Sequence, residues 1–160
     1  MKLFRRKAQS SEQGSALVEL ALSLPALCLM LLGAAEFARL AYGAIAVTNA
    51  AHSAALYAAS SHAALGDSGG ITNAAGTDTS NLTGGNAVSV TSVTTACTCS
   101  NSSYTPSSCS DNSTCFNNNA AMITAVTVNT QSTFAPMIRI PGSALNFTLH
   151  GTSTQVVSNQ

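Results

Sequence analysis

Hydrophobic and polar positions divide the chain into two unlike parts. From Ser15 to Ala35 the residues are apolar or small, with Glu19 as the only charge. A helix over these 21 residues would be roughly 31 Å long, about the thickness of a bilayer's hydrocarbon core. The segment is therefore read as a membrane-spanning helix. Pro25 removes a backbone donor within it and predicts a kink, which membrane helices tolerate better than soluble ones. Beyond Ala35 the pattern becomes amphipathic without a turn signal. Phe37, Leu40, Ala44, Val47, Ala51 and Ala54 recur at steps of three or four, which predicts that the same helix continues as an apolar stripe to about Leu65. So long a helix needs a layer to lean on.

After "GDSGG", Gly66 to Gly70, the chain turns to Ser, Thr, Asn and Gly with scattered β-branched residues. Three stretches alternate as strands do: Ala87 to Thr95, Ile123 to Thr130, and Ala144 to Val157 with a possible break at Gly151. A sheet with one apolar face requires a covering layer. The expectation is an α+β fold in which a long N-terminal membrane-spanning helix packs its second half on a small antiparallel β-sheet. The domain plan is a basic leader over 1–14, a transmembrane helix over 15–35, an amphipathic extension over 36–65, and an extracytoplasmic β domain over 66–160. Residues 97–119 form a cysteine-containing loop in that domain.

Charge sharpens this plan. The 160 residues carry no net charge, yet Lys2, Arg5, Arg6 and Lys7 are four of the six basic residues, with only Arg39 and Arg139 after them. A basic head before an apolar span predicts a cytoplasmic N-terminus, with the rest of the chain on the other side of the membrane. The nearly uncharged body offers no basic face for nucleic acid. An ordinary secretory signal, cut near Ala35 before Glu36, also fits the basic head and the apolar run from Leu20 to Leu32. That alternative leaves Glu19 without a use, although a carboxylate at membrane depth costs roughly 3 kcal/mol to insert. It also cuts through a helical pattern that continues unbroken.

Candidate chemistry is sparse. Cys97, Cys99, Cys109 and Cys115 could ligate zinc, but Cys-x-Cys lacks the usual ligand spacing and no second tight pair follows. In an extracytoplasmic, polar segment they read as two disulfides, with Cys97–Cys99 the disfavoured pairing and the cross-pairings open. Cys28 reads as a small apolar residue of the span. His52, His62 and His150 are far apart, and the Asn-x-Ser/Thr triplets at Asn81, Asn101, Asn112 and Asn146 are what chance yields in so polar a chain. No nucleophile elbow, phosphate loop or His-Glu metal pattern is present, so no enzyme, cofactor or metal is expected.

One combination stands out: a basic leader, Gly14, Ser15, "ALV", Glu19 and a hydrophobic helix. It resembles the arrangement of a type IV prepilin or pseudopilin. More narrowly, "GSALVELALSLPALCLMLLGAAEFARLAYGAIAVTNAAHSAALYAA" resembles the TadE-like family of the tight-adherence (Flp, or type IVc) pilus system. Glu36, Phe37 and Arg39 and the "VTNAAHSAALYAA" tail carry most of the likeness, which does not extend to the cysteine loop. Leu20 departs from the aromatic residue that such proteins often have after the glutamate.

The resemblance implies a minor pseudopilin or assembly protein of the bacterial inner membrane, structural in role. Its partners would be a prepilin peptidase cutting between Gly14 and Ser15, other pilins or pseudopilins, the inner-membrane assembly platform and the lipid bilayer. A pilus filament subunit and a secreted binding module are the alternatives. On physical grounds, cleavage would create an ammonium group at Ser15, one helical turn from Glu19. That amine, or one from a neighbouring helix, could pair with the carboxylate near the positive end of the helix dipole.

Overall fold

The computed structural model of the protein describes residues 12–77, 79, 87–101, 106, 108, 109, 113–137 and 146–157. The basic leader up to residue 11 and Arg139 lie outside the described residues, as do Asn81 and Asn112. The fold is α+β: a long apolar helix and a three-stranded antiparallel sheet. The chain forms two compact units, Met1–Arg39 and Leu40–Gln160.

Helix α1 runs from Glu12 to Ala59 and contributes to both units. Ala, Leu and Met, all strong helix formers, dominate its sequence. In the first unit the large side chains from Leu17 to Leu32 are exposed, and Pro25 lies inside the helix. This helix is long and apolar enough to cross a membrane.

In the second unit α1 presents a face of small residues to the sheet. Gly43, Ala46, Val47, Ala50, Ala51, Ala54, Ala55 and Ala58 are buried. Phe37 and Ala44, expected on the packed stripe, are instead exposed. The rest of the expected stripe holds, with Val47, Ala51 and Ala54 buried and Leu40 half-buried, and close approach to the sheet favours its small residues. A methyl group at Gly43 would already lie 3.1 Å from Leu149 Cδ1.

The helix ends at Ala59, short of Leu65. Ser61 takes an extended conformation (φ −162°, ψ 163°), and its hydroxyl accepts from the Ala64 amide at 3.2 Å, starting the single turn α2, His62–Leu65. Competition from serine hydroxyls for backbone groups favours such caps over helix interiors. Asp67 then caps a helix absent from the sequence expectation, α3, Ser68–Thr77. Its Oδ1 accepts from the Gly70 amide at 2.9 Å.

The sheet is ordered β1-β2-β3, with β1 at Ser89–Cys99, β2 at Met122–Phe134 and β3 at Phe147–Val156. One helical turn, α4 (Ser113–Phe116), precedes β2. β1 therefore extends through the first two cysteines, which the sequence reading assigned to the loop, and β3 continues unbroken through Gly151. On β2 the even-numbered residues Thr124 to Phe134 are buried and the intervening ones are less so. Val126, Val128 and Val157 meet Ala50, Ala54, Ala55, Ala58 and Ala59 of α1 and Ile71 and Ala75 of α3 in one core, flanked by Leu65, Val88 and Val90.

The outer face of the sheet is polar and self-bonded. Asn129 Nδ2 donates to Ser92 Oγ at 2.9 Å, and Thr152 Oγ1 donates to Asn129 Oδ1 at 2.7 Å, so one row crosses all three strands. The Thr127 and Thr154 hydroxyls bond at 2.8 Å in the next row.

Candidate functional site

Two regions hold the residues singled out by sequence. The first is the opening of α1. Ser15 and Glu19, four residues apart, share one face of the helix one turn from each other, and both are exposed. Gly14 precedes them in the same turn. A methyl group built on Gly14 would touch nothing within 4 Å. Glycine in a helix is less favourable than alanine by roughly 1 kcal/mol, so among the described residues no packing offsets a glycine that weakens the first turn. Further along the same unit, Arg39 Nη1 pairs with Glu36 Oε2 at 3.2 Å. The two charges closest to the end of the apolar stretch thus neutralise each other.

The second region is the cysteine-bearing end of the sheet. Cys97 and Cys99 lie on the same side of β1, opposite Thr124 and Met122 of β2. Two residues apart on a strand, they point the same way without facing each other. Each reaches a different partner: Cys97 bonds Cys109 and Cys99 bonds Cys115, with Cα separations of 5.5 and 5.3 Å. The structure thus brings together all four cysteines as two cross-paired bridges. The Cys99–Cys115 bridge is buried and anchors α4, whose Phe116 side chain projects into solvent. Cys28 is a free, exposed thiol on α1.

Some contacts gave no signal in the sequence reading. Tyr57 at the end of α1 donates to Asp67 Oδ2 at 2.6 Å, joining α1 to the cap of α3. That hydrogen bond, together with the Gly70 amide, holds the Asp67 carboxyl below the usual carboxylate range. Gly70 leaves room for it, since a Cβ there would overlap the Tyr57 hydroxyl and the Asp67 carboxylate and make these exposed side chains shift. A signal for α3 was present: Asp67 as cap, with Ile71, Ala74 and Ala75 at helical spacing. His52 Nδ1 lies 3.4 Å from Ser153 Oγ and 3.3 Å from Gln155 Nε2 on β3, a contact no spacing rule could reveal.

Residues 14–56 match the family model of TadE-like proteins. Over this segment, about a quarter of the chain, the protein is similar to TadE-like proteins. The match starts at Gly14 and takes in Ser15, Glu19, Pro25, Glu36 and Arg39. The TadE-like match ends at residue 56, so the sheet and its two disulfides lie beyond it. No curated protein and no solved structure matches the chain.

Proposed function

We propose that this TadE-like chain is a minor pseudopilin or assembly protein of a tight-adherence pilus. In this reading residues 15–35 span the inner membrane, the basic leader over 1–14 stays in the cytoplasm, and the sheet domain lies outside. A prepilin peptidase cuts between Gly14 and Ser15. The freed Ser15 amine of one subunit then pairs with Glu19 of its neighbour in the membrane, setting the axial register of adjacent helices. Register needs a polar device, since lipid tails are as apolar as leucine and supply no hydrophobic drive between membrane helices.

The observation that carries the reading is Gly14. It stands where the TadE-like match begins, and among the described residues nothing packs against it. A glycine that the fold does not need points to a requirement set by another protein, and a protease that draws in extended backbone has that requirement. Removal of a signal near Ala35 is disfavoured because α1 continues through that position to Ala59. Two disulfides in the sheet domain suit an oxidising compartment.

The intact mass of the protein extracted from its native membrane tests this. A chain beginning at Ser15 is the expected result. A chain beginning at Glu36 would replace the pseudopilin reading with a secreted module, and a chain retaining the leader would leave an unprocessed anchor. Recovery of the processed chain from sheared surface fibres at high copy number would make it a filament subunit instead.

A further inference from the structure

In the apolar stretch of α1, residues 15–35, the side chains that carry oxygen are Ser15, Glu19 and Ser23. Each is four residues from the next, so they line one side of the helix. The same side continues through Ala26, Met30, Gly33 and Phe37. From Glu19 onward the steps are four, three, four, three and four, the spacing that holds one seam of a helix against a parallel neighbour. Every residue of the seam is exposed. Leu17, Leu24, Leu31 and the free thiol of Cys28 fall on the far side.

Two members of the seam ask for a partner outside the chain. Among the described residues Glu19 has neither a hydrogen bond nor an ion pair, and an ionisable group at membrane depth faces a partner helix or a water-filled cavity. Gly33 lies well inside the helix, where glycine is less favourable than alanine, and a methyl group there would touch nothing within 4 Å. In membrane helices a small residue at such a position lets a second backbone approach closely.

We infer that the seam receives α1 of a second copy of this chain, running parallel and shifted by one helical turn, four residues or about 6 Å along the axis. The shift follows from what the seam presents to itself. Without it Glu19 faces Glu19, Met30 faces Met30 and Phe37 faces Phe37, so like charges meet and large side chains collide. With it Glu19 of the first copy meets Ser15 of the second, and Ser23 of the first meets Glu19 of the second. Both carboxylates then gain a donor. The Ser23 hydroxyl now donates to its own Leu20 carbonyl at 3.3 Å, a long bond that a carboxylate acceptor outcompetes. Farther along, Met30 meets Ala26, Gly33 meets Met30 and Phe37 meets Gly33, a large side chain against a small one each time. The inference rests on the membrane placement in the proposed function, which makes the two helices parallel, and not on cleavage at Gly14.

The test uses two differently tagged copies of the full-length protein, both Cys28→Ser, expressed together in their native membrane. One carries Ala26→Cys and the other Met30→Cys, and the membranes are oxidised with copper phenanthroline. The product joining position 26 to position 30 is expected at about five times the yield of 26 to 26 or 30 to 30. Gly33→Leu, at an exposed position, should lower that yield about fivefold. The chain with its native Cys28 and no added cysteine should crosslink poorly. Dominant 26-to-26 and 30-to-30 products would mean an unshifted pair, and crosslinking through Cys28 at the same yield would mean the opposite face; either overturns the inference. So does the lack of any product, which would leave the seam to a different protein. Intact mass reports processing separately: a 26-to-30 product that keeps its leader supports the seam and removes the peptidase reading, whereas a cut chain without that product overturns the seam alone.

Discussion

The Thr130 hydroxyl on β2 donates to the Val47 carbonyl of α1 at 2.8 Å, a buried bond between residues 83 apart in sequence. The carbonyl already accepts its own helix's bond, and its second lone pair gives the buried hydroxyl a partner. Gly151 on β3, paired with Thr130, completes the contact from the side. A Cβ at Gly151 would lie 2.5 Å from the Val47 oxygen and 2.7 Å from Thr130 Oγ1. Thr130→Val, which keeps the shape and loses the bond, should destabilise the full-length protein by about 1 kcal/mol. Gly151→Ala should cost more, roughly 1 to 3 kcal/mol, because helix and strand must separate. Urea unfolding in detergent would rank them; Gly151→Ala at wild-type stability would mean that the helix does not rest on β3.

The two disulfides close stretches of 12 and 16 residues. Loss of either, by Cys97→Ser with Cys109→Ser or by Cys99→Ser with Cys115→Ser, should cost about 3 kcal/mol in the chain-entropy account. Unreduced peptide mapping should recover Cys97 linked to Cys109 and Cys99 linked to Cys115. Recovery of Cys97 with Cys115, or of four free thiols, would contradict this arrangement.

Asp67 gives a pH dependence whose sign is fixed. Its folded-state carboxyl is held below its ordinary value, first by the Tyr57 hydroxyl and then by the Gly70 amide. A depressed acid contributes stability that is present above its unfolded pKa and is lost as pH falls through the folded one. Wild type should therefore exceed Asp67→Asn in stability near neutral pH, with the gap closing as pH drops below about 4. A gap that stays constant from neutral pH to about pH 2 would remove the carboxylate from the account.

On the proposed function, Glu19→Ala and Glu19→Gln should both insert into the membrane and be processed, since the proposed cut requires Gly14. Both should lose crosslinking to neighbouring pilin subunits, the Gln variant nearly as fully as the Ala. A polar contact between membrane helices is worth only about 1 kcal/mol, so the loss should appear in association rather than in the folding of the sheet domain. Wild-type crosslinking yields in both variants would reduce Glu19 to a side chain that merely reaches toward the headgroups.

The long apolar helix was legible because its signal is an absence, one charge in 21 residues, which no tertiary contact can disguise. Strand positions were legible from alternation, but their ends were not. The buried side of β2 reads Thr124, Val126, Val128, Thr130, Ser132, Phe134, and its three hydroxyl residues hide the burial. Thr130 counts as interior only because Val47, far off in sequence, accepts its proton. Gly151 looks like a strand breaker until the helix backbone beside it is known. Helix α3 went unread because Gly69 and Gly70 argue locally against a helix, and the room that Gly70 leaves is taken by a tertiary neighbour, Tyr57. The cysteine set was plain in the sequence and its pairing was not, since the choice among three partitions depends on which face of β1 carries Cys97 and Cys99.

The alanine-lined underside of α1 also bears on how the sheet domain responds to temperature. A methyl group withdraws far less apolar area from water than a leucine or phenylalanine side chain, and apolar hydration supplies the increase in heat capacity on unfolding, ordinarily about 12–15 cal/mol/K per residue. A core made largely of Ala50, Ala54, Ala55, Ala58 and Ala59 against Val126 and Val128 should fall below that figure. A small heat capacity flattens the stability curve, so this domain would be only modestly stable at its best temperature and would stay nearly as stable well above and below it.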